Sequence, residues 1–476
     1  MAKRTVLAID LGAESGRVMA VHFDGAHLSF DEVHRFANTP VLAHGTLHWD
    51  ILRLWHEIQT GIDKSRSLKP ASLGVDTWGV DFALLDSAGE LLGSPVHYRD
   101  PRTNGVMERA LEHVPRSEIF AETGIQFMPI NTLYQLYSLV ERSAPQLAAA
   151  ATFLTVPDLI NYWLTGQKVC EYSIATTTQM LNARTADWSC DMLARLSIPT
   201  DMLPPIVHPG TRLGDFEGIP VIAPACHDTQ SAVAALSASE TGSAYISSGT
   251  WSLIGVEIPE PILTDMALSA NVTNEGGVDH TICLLANATG LWLLQQCRAV
   301  WKEHGLDYSY AELVELARKV SPQSSLIDTN DPCFLPSGDH PALIQAYCRE
   351  TGQQVPATHG EIVRCVVESL ALKYRQVLDT LRDLTGKDLT SVNIVGGGSQ
   401  NALLNQLTAD ATGLPVTAGP VEATVLGNAL VQFVALGEFR DISEARAAVR
   451  NLGEVQHYEP HTTAAWAEAY ERYQQL

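Results

Sequence analysis

The chain has 476 residues, too many for one ordinary hydrophobic core, so two large domains are expected. Its 46% hydrophobic and 18% charged residues, without a long polar tract, are those of a soluble globular protein. A formal net charge of −23 argues against nucleic acid or an anionic membrane as partner, because both demand a basic face.

No apolar run approaches the ~18 residues of a membrane-spanning helix. The opening MAKRTVLAIDLG leads straight into a strand pattern with no signal peptide, so a cytoplasmic location is expected. The cysteines, at 170, 190, 226, 283, 297, 333, 348 and 365, form no CxxC pair and no Cys/His cluster at zinc spacing. Reduced, mostly buried thiols are the expectation. Cys348 and Cys365 flank a short loop between helical stretches, and a disulfide between them stays open.

Val6–Asp10 reads as a buried strand, Gly12-Ala13-Glu14-Ser15-Gly16 turns the chain, and Arg17–Phe23 returns as a second strand. His48–Arg66 carries a helical pattern of Ile51, Leu54, Trp55, Ile58 and Ile62. The strand SLGVD then runs into Asp76-Thr77-Trp78-Gly79-Val80-Asp81-Phe82. Two acids and a Trp around a glycine, at the end of an apolar strand, suit a site at a sheet's carboxyl edge. A plain hairpin carrying surface acids is the structural alternative. His97–Thr103 forms a second polar cluster, and a Pro-interrupted loop enters a helix at Asn131.

Near the middle, the apolar run Val221–Ala225 ends in Cys226-His227-Asp228-Thr229, and Asp228 to Leu236 reads as a helix with Asp228 as its capping residue. A carboxylate beside the positive end of a helix is expected to stay ionised and to accept a proton from a substrate hydroxyl. Ser243–Val256 follows as two β-type runs joined by Ser247-Ser248-Gly249-Thr250, a turn whose N–H groups can approach a phosphate. The same strand–turn–strand plan occurs in LAIDLGAESGRVMAV, about 240 residues earlier, which suggests a duplicated architecture.

Val272–Gly277 reads as a loop. Asn287 lies in a Gly-ended segment before a helix over Leu291–Val300, whose outer face offers Gln295. Glu361–Leu384 is a long amphipathic helix closed by Gly386. Strand Ser391–Val395, the break Gly396-Gly397-Gly398 and helix Asn401–Ala411 come next. Three glycines let a backbone approach a flat or phosphorylated ligand, although neither a Walker loop nor GxGxxG is present. Pro415–Pro420 is a strand, Glu422–Leu436 is a helix with Gly427 for close packing, and the last forty residues read as helical covering. The alternation predicts mixed α/β sheets flanked by helices, in domains 1–242 and 243–476 with a cleft between them.

With DLGAESGR, HDT, SSGTWS and GGGSQNALLNQLTADATG in this order over nearly the whole chain, the sequence resembles the FGGY family of carbohydrate kinases. The segments DTWGVDFALLD, YRDPRTNG, GIQFMPINTLYQL and SSGTWSLIG narrow the resemblance to kinases of a ketose. It implies two actin/hexokinase-like (ribonuclease H-like) domains with a central cleft, the first binding sugar and the second nucleotide. It also implies ATP and Mg²⁺ and a small ketose as substrate. Carried over, Asp228 is the base, His227 and Thr229 contact the sugar, and Gly79 and Asn287 line its pocket. Ala13, Glu14, Ser15, Gly16 and Arg17 form the first phosphate loop and Thr250 the second. Gln295 and Gly397 contact the nucleotide, and Asp10 holds the magnesium through water. Glu14 departs from the small polar residues common in relatives: aimed at the phosphates it would share the metal, otherwise it points outward. Trp78 and Phe82 offer an apolar wall near the sugar. A chaperone-like or filament-forming ATPase of the same superfamily has no use for DTWGVDF and CHDT, and a catalytically silent sugar sensor is expected to lack Asp228 or Asp10. Both residues are present. Monomer and dimer are equally compatible with the sequence.

Overall fold

The computed structural model describes residues 3–236, 242–452, 455–461 and 464–476. The chain forms two compact units: Met1–Ala238 with Glu257–Leu284 and Ala423–Gly453, and Ser239–Val256 with Leu285–Glu422 and Glu454–Leu476. Neither unit is contiguous in sequence, unlike a division into 1–242 and 243–476. Residues 237–241, just before that division, lie outside the described residues.

In the first unit, six strands form a mixed sheet in the order Arg212–Phe216, Ile219–Ile222, Leu73–Thr77, Arg4–Leu11, Ser15–Phe23, Leu28–Ala37. Arg4–Leu11 is central. It pairs parallel with Leu73–Thr77 and antiparallel with Ser15–Phe23, and seven of its eight residues are buried. A strand covered on both faces reads as a continuous apolar run rather than an alternating one. Helix Ile51–Ser65 starts where the Asp50 side chain accepts from Arg53 N, and buries Ile51, Leu54, Ile58 and Ile62, the stripe expected from its spacing. Helix Ala423–Ala435 is pinned to the sheet by Gln432, which donates to Leu7 O at 2.9 Å and accepts from Ser72 Oγ at 2.7 Å. Gly427 is required there, because a Cβ would collide with the carbonyl oxygen of Ser231.

The second unit repeats the plan. Strand Ser243–Ser248 turns at Gly249-Thr250 into Trp251–Ile258, antiparallel, and pairs parallel with Ser391–Val395, which pairs parallel with Val416–Ala418. In both units, therefore, the first strand of a tight hairpin has a parallel neighbour on its other edge. Helix His359–Thr385 opens with a Thr358/Glu361 capping box and is closed by left-handed Gly386.

Two expected outlines change. Val272–Gly277 is not a loop: Thr273–Gly276 is a buried strand, tied down by Asn274 Nδ2 to Gly124 O and Ile262 O and by Gly276 N to Thr176 Oγ1. TNEG has no apolar alternation, so its burial is carried by polar bonds that periodicity does not reveal. The C-terminal stretch is not wholly helical either, since Gln456–Tyr458 adds an antiparallel edge strand to Val416–Ala418. Three residues are too few to register as a pattern. All eight cysteines, Cys348 and Cys365 included, are free thiols. Among the described residues no helix is long and apolar enough to cross a membrane.

Candidate active site

In the first unit the ends of two neighbouring strands bring acids together. Asp10 and Asp76 are parallel register partners, and Asp10 lies opposite Arg17 on the hairpin. Arg17 donates to Asp10 Oδ2 through Nε at 2.8 Å and a terminal nitrogen at 2.7 Å. Asp76 is fully buried. Its Oδ2 accepts from Asn428 Nδ2 at 2.5 Å, and its Oδ1 has no partner among the described residues. Burial, reinforced by the Asp10 charge, raises the Asp76 carboxyl well above the usual range, which favours its protonated form. The hairpin turn between them is clamped by Asn38, which donates from its side chain to Gly12 O and from its backbone to Glu14 O, both at 2.9 Å. Glu14 is exposed, consistent with an outward side chain, and Ala13 and Ser15 are half-buried. Gly16 serves packing, since a Cβ would meet the Phe36 ring.

The Cys226-His227-Asp228 corner lies beside the same strand ends: Thr77 N donates to Cys226 O at 2.9 Å and Thr77 bridges to His227. Asp228 is not the cap of the helix. His227 occupies the cap position, and the helix Asp228–Ala234 stops two residues short of Leu236. Nor is the carboxylate held at an ordinary pKa by the helix end. Partial burial pushes it up to about 6, the Asp10 charge adding and His227 offsetting, although 29% of its side-chain surface remains exposed. Desolvation outweighs the helix terminus here. Thr229 Oγ1 donates to Asp228 Oδ1 at 3.2 Å. His227 lies with Nδ1 3.1 Å from Glu275 Oε2 and Nε2 3.5 Å from Asp228 Oδ1. Burial alone would lower its pKa, but the Glu275 charge beside the ring, with those of Asp228 and Glu171 behind it, raises it.

The corner's backbone is fixed from below by Glu171, a residue with no sequence signal of its own. Its carboxylate accepts from Cys226 N at 3.0 Å, Ser173 N at 2.9 Å, Ser173 Oγ at 2.5 Å and Ile174 N at 3.2 Å, and Ser173 Oγ accepts from His227 N at 3.2 Å. Burial raises Glu171 to about 7. Gly79 follows Trp78 on the same strand end, and a Cβ there would press on Thr177, whose Oγ1 accepts from Val80 N at 3.2 Å. The acids of DTWGVDF are not surface residues. Asp81 is buried and accepts from Trp49 Nε1 at 2.6 Å, Trp78 Nε1 at 3.1 Å and Gln135 Nε2 at 3.0 Å. Trp78 and Phe82 are accordingly core, Trp78 against Trp49 and Phe82 against Phe153, rather than an open apolar wall.

In the second unit, Thr250 sits at the hairpin turn. Its Oγ1 accepts from Gln295 Nε2 at 3.3 Å, and its carbonyl accepts from Gly290 N and Trp292 N, at the start of helix Trp292–Glu303. The glycine break packs on the same turn: Gly396 is left-handed, and a Cβ on Gly398 would collide with the Ser248 side chain. Gly397 is exposed, with open space where a Cβ would stand. Thr250, Gln295 and Gly397 therefore surround one turn. Asn287 belongs to this unit too, half-buried in strand Ile282–Thr289.

A partly exposed carboxylate on a fixed corner of the first unit can take a proton from a hydroxyl, and a backbone-rich turn flanked by an open glycine in the second can meet phosphate oxygens, two capacities that a phosphotransferase with a hydroxyl acceptor requires. Residues 5–234 match the N-terminal domain of the FGGY family of carbohydrate kinases, and residues 244–436 match its C-terminal domain. The chain belongs to this family and has its two-domain fold. It is 43% identical to the rhamnulokinase of Bacteroides thetaiotaomicron over 98% of each chain. It is also 43% identical to that of Pectobacterium atrosepticum, over 100% of this chain and 97% of the relative. Among solved structures, a ligand-bound xylulose kinase from Lactobacillus acidophilus superposes with a TM-score of 0.81 at 17% identity, covering 99% of this chain and 97% of that one. A glycerol kinase from Plasmodium falciparum with ADP gives 0.77 at 16%, covering 98% of each.

Proposed function

We propose that the protein phosphorylates L-rhamnulose at O1, giving L-rhamnulose 1-phosphate and ADP, within L-rhamnose breakdown in the cytoplasm. The observation that carries the chemistry is Asp228, ionised at neutral pH, partly exposed and held on a rigid corner between His227 and Thr229. The choice of sugar is supported by full-length similarity to rhamnulokinases. The sugar hydroxyl attacks the γ-phosphorus of ATP, the bond to the departing ADP oxygen breaks, and the hydroxyl proton passes to an Asp228 oxygen. Phosphoryl transfer runs through a loose transition state, so positioning and charge neutralisation do most of the work and one carboxylate suffices at the acceptor.

His227, Thr229, Gly79 and Asn287 contact the ketose. Backbone groups of Ala13 to Arg17 and of Thr250 meet the phosphates, and Gln295 and Gly397 meet the nucleotide. For Mg²⁺, no cluster of three or more acidic, His or Cys groups among the described residues forms a cage. That fits an ion held by one carboxylate together with water and phosphate oxygens, and Asp10, at its strand end beside Arg17, is that carboxylate. When bound, Mg²⁺ neutralises charge on the phosphates.

Another ketose kinase of the family is the competing assignment. Coupled ADP release over L-rhamnulose, L-fructose, L-fuculose and D-xylulose decides it. L-Rhamnulose is expected to give the highest kcat/KM; a better rate with L-fuculose or D-xylulose would refute the sugar assignment and leave the kinase in place.

A further inference from the structure

Arg446, on the helix Ile442–Val449, is nearly enclosed, and its guanidinium grips two elements at once. Nε donates to Ala234 O at 3.1 Å and a terminal nitrogen donates to Val233 O at 3.0 Å, at the far end of the seven-residue helix that Asp228 begins. Both terminal nitrogens donate to the Glu257 carboxylate, at 3.0 and 2.9 Å. Glu257 lies on the strand Trp251–Ile258, which starts directly after Thr250. Within that strand the chain passes from the second unit to the first, between Val256 and Glu257, and Arg446, Glu257 and the Asp228 helix all belong to the first. A bidentate ion pair away from water is stiff, because parting it leaves a bare charge where little solvates it. A helix of this length spans only about 10 Å, so a displacement at its last carbonyls reaches Asp228.

We propose that Arg446 is a positioning residue for phosphotransfer: it ties the strand leaving the Thr250 turn to the helix that carries Asp228, so that nucleotide at the turn tightens the hold on the ketose at the base. The inference rests on the assignment of Thr250 to the phosphates and of Asp228 to the sugar hydroxyl. Coupling of this kind is reciprocal, so the sugar tightens the nucleotide by the same factor.

Isothermal titration of the full-length enzyme measures that factor, using a non-hydrolysable ATP analogue with Mg²⁺ and the ketose selected by the ADP-release panel. In the parent each ligand is expected to tighten the other by at least about fivefold. Arg446→Met and Glu257→Ala are each expected to bring the factor below about twofold, with affinity for either ligand alone kept within about threefold. The pair should lose no more coupling than either change by itself. Should Arg446→Met fold poorly, Arg446→Lys takes its place, since one ammonium cannot reproduce the planar fork. No coupling in the parent, or coupling retained in variants that show only a lowered Tm, would overturn the inference. Nucleotide affinity untouched by Gly398→Ala would instead remove the nucleotide from this turn, and the inference would fall with that assignment.

Discussion

Acidification should silence this kinase well before it would silence one that uses an ordinary aspartate. Asp228 has its midpoint raised from 3.8 to about 6, first by burial and then by the Asp10 charge, with His227 pulling the other way. The base works in its ionised form, so activity is present above that midpoint and is lost as pH falls through it. At pH 7 about nine-tenths of the molecules carry the ionised base and at pH 5 about one-tenth, a drop of about tenfold. At the usual value, most would remain ionised at pH 5. The assay is kcat/KM for L-rhamnulose at saturating ATP from pH 5 to 8, with near-UV circular dichroism to show that the enzyme stays folded. Asp228→Asn supplies the control: about 10²–10⁴-fold slower, with unchanged nucleotide affinity and no acid limb near pH 6. A midpoint below pH 5 in the parent, or a variant within fivefold of it, would refute the reasoning.

Glu171 makes stability depend on pH in the opposite sense. Its folded pKa of about 7, against an unfolded 4.5, is raised, so its contribution is fully present below about 4.5 and is lost as pH climbs through 7. The loss is on the order of 3 kcal/mol. Denaturant melts at pH 5 and pH 8 should show it, and Glu171→Gln should be less stable overall yet flatter between the two; equal slopes would contradict the role. Gly398→Ala should force the glycine break away from Ser248 at a cost of about 1–3 kcal/mol. It should raise KM for ATP while leaving KM for the sugar within twofold, and equal effects on both would argue against a nucleotide-side turn.

The sequence made legible what depends on short-range pattern. The hairpin at Asp10–Arg17, its counterpart at Ser248–Ser252, the corner at Asp228 and the break at Gly396–Gly398 all show as apolar runs stopped by Gly, Ser or Asp, and all are found. What stayed hidden depends on long-range polar contacts. Glu275 lies in TNEG, a segment without periodicity, and becomes significant only when the fold brings it to His227, 48 residues earlier in the chain. Glu171 had no motif either, and nothing in the order of residues shows that its carboxylate collects four hydrogen-bond donors. Burial was the second blind spot. Trp78 and Asp81 looked like a site's wall and rim, yet each satisfies the other in the core. The same desolvation that raises Asp228 overrode the reading based on its helix terminus.

Asp10, Asp76 and Asp228 would make a poor general base if all three carried charge, because each would raise the next. The structure separates their states instead, which is how neighbouring carboxyl groups take different roles in one site. Asp10 is paired with Arg17. Asp76 has lost all solvent and faces the Asp10 charge, and among the described residues one of its oxygens has no donor, all of which favours its protonated form. That leaves Asp228 as the carboxylate of the three with both a negative charge at neutral pH and room to receive a proton. If this is right, Asp76 is already chemically close to an amide. Asp76→Asn should preserve the acceptor for Asn428 Nδ2 and set its own Nδ2 where no bond exists to be broken. It should therefore hold kcat within about fivefold of the parent and leave the acid limb where it stands. Asp10→Asn, which removes the negative charge that Arg17 donates to through two nitrogens, should cost far more. The measurement is the pH profile of both variants beside the parent. A loss of about 100-fold or more in folded Asp76→Asn would mean that Asp76 works ionised, and the separation of states among the three acids would have to be abandoned.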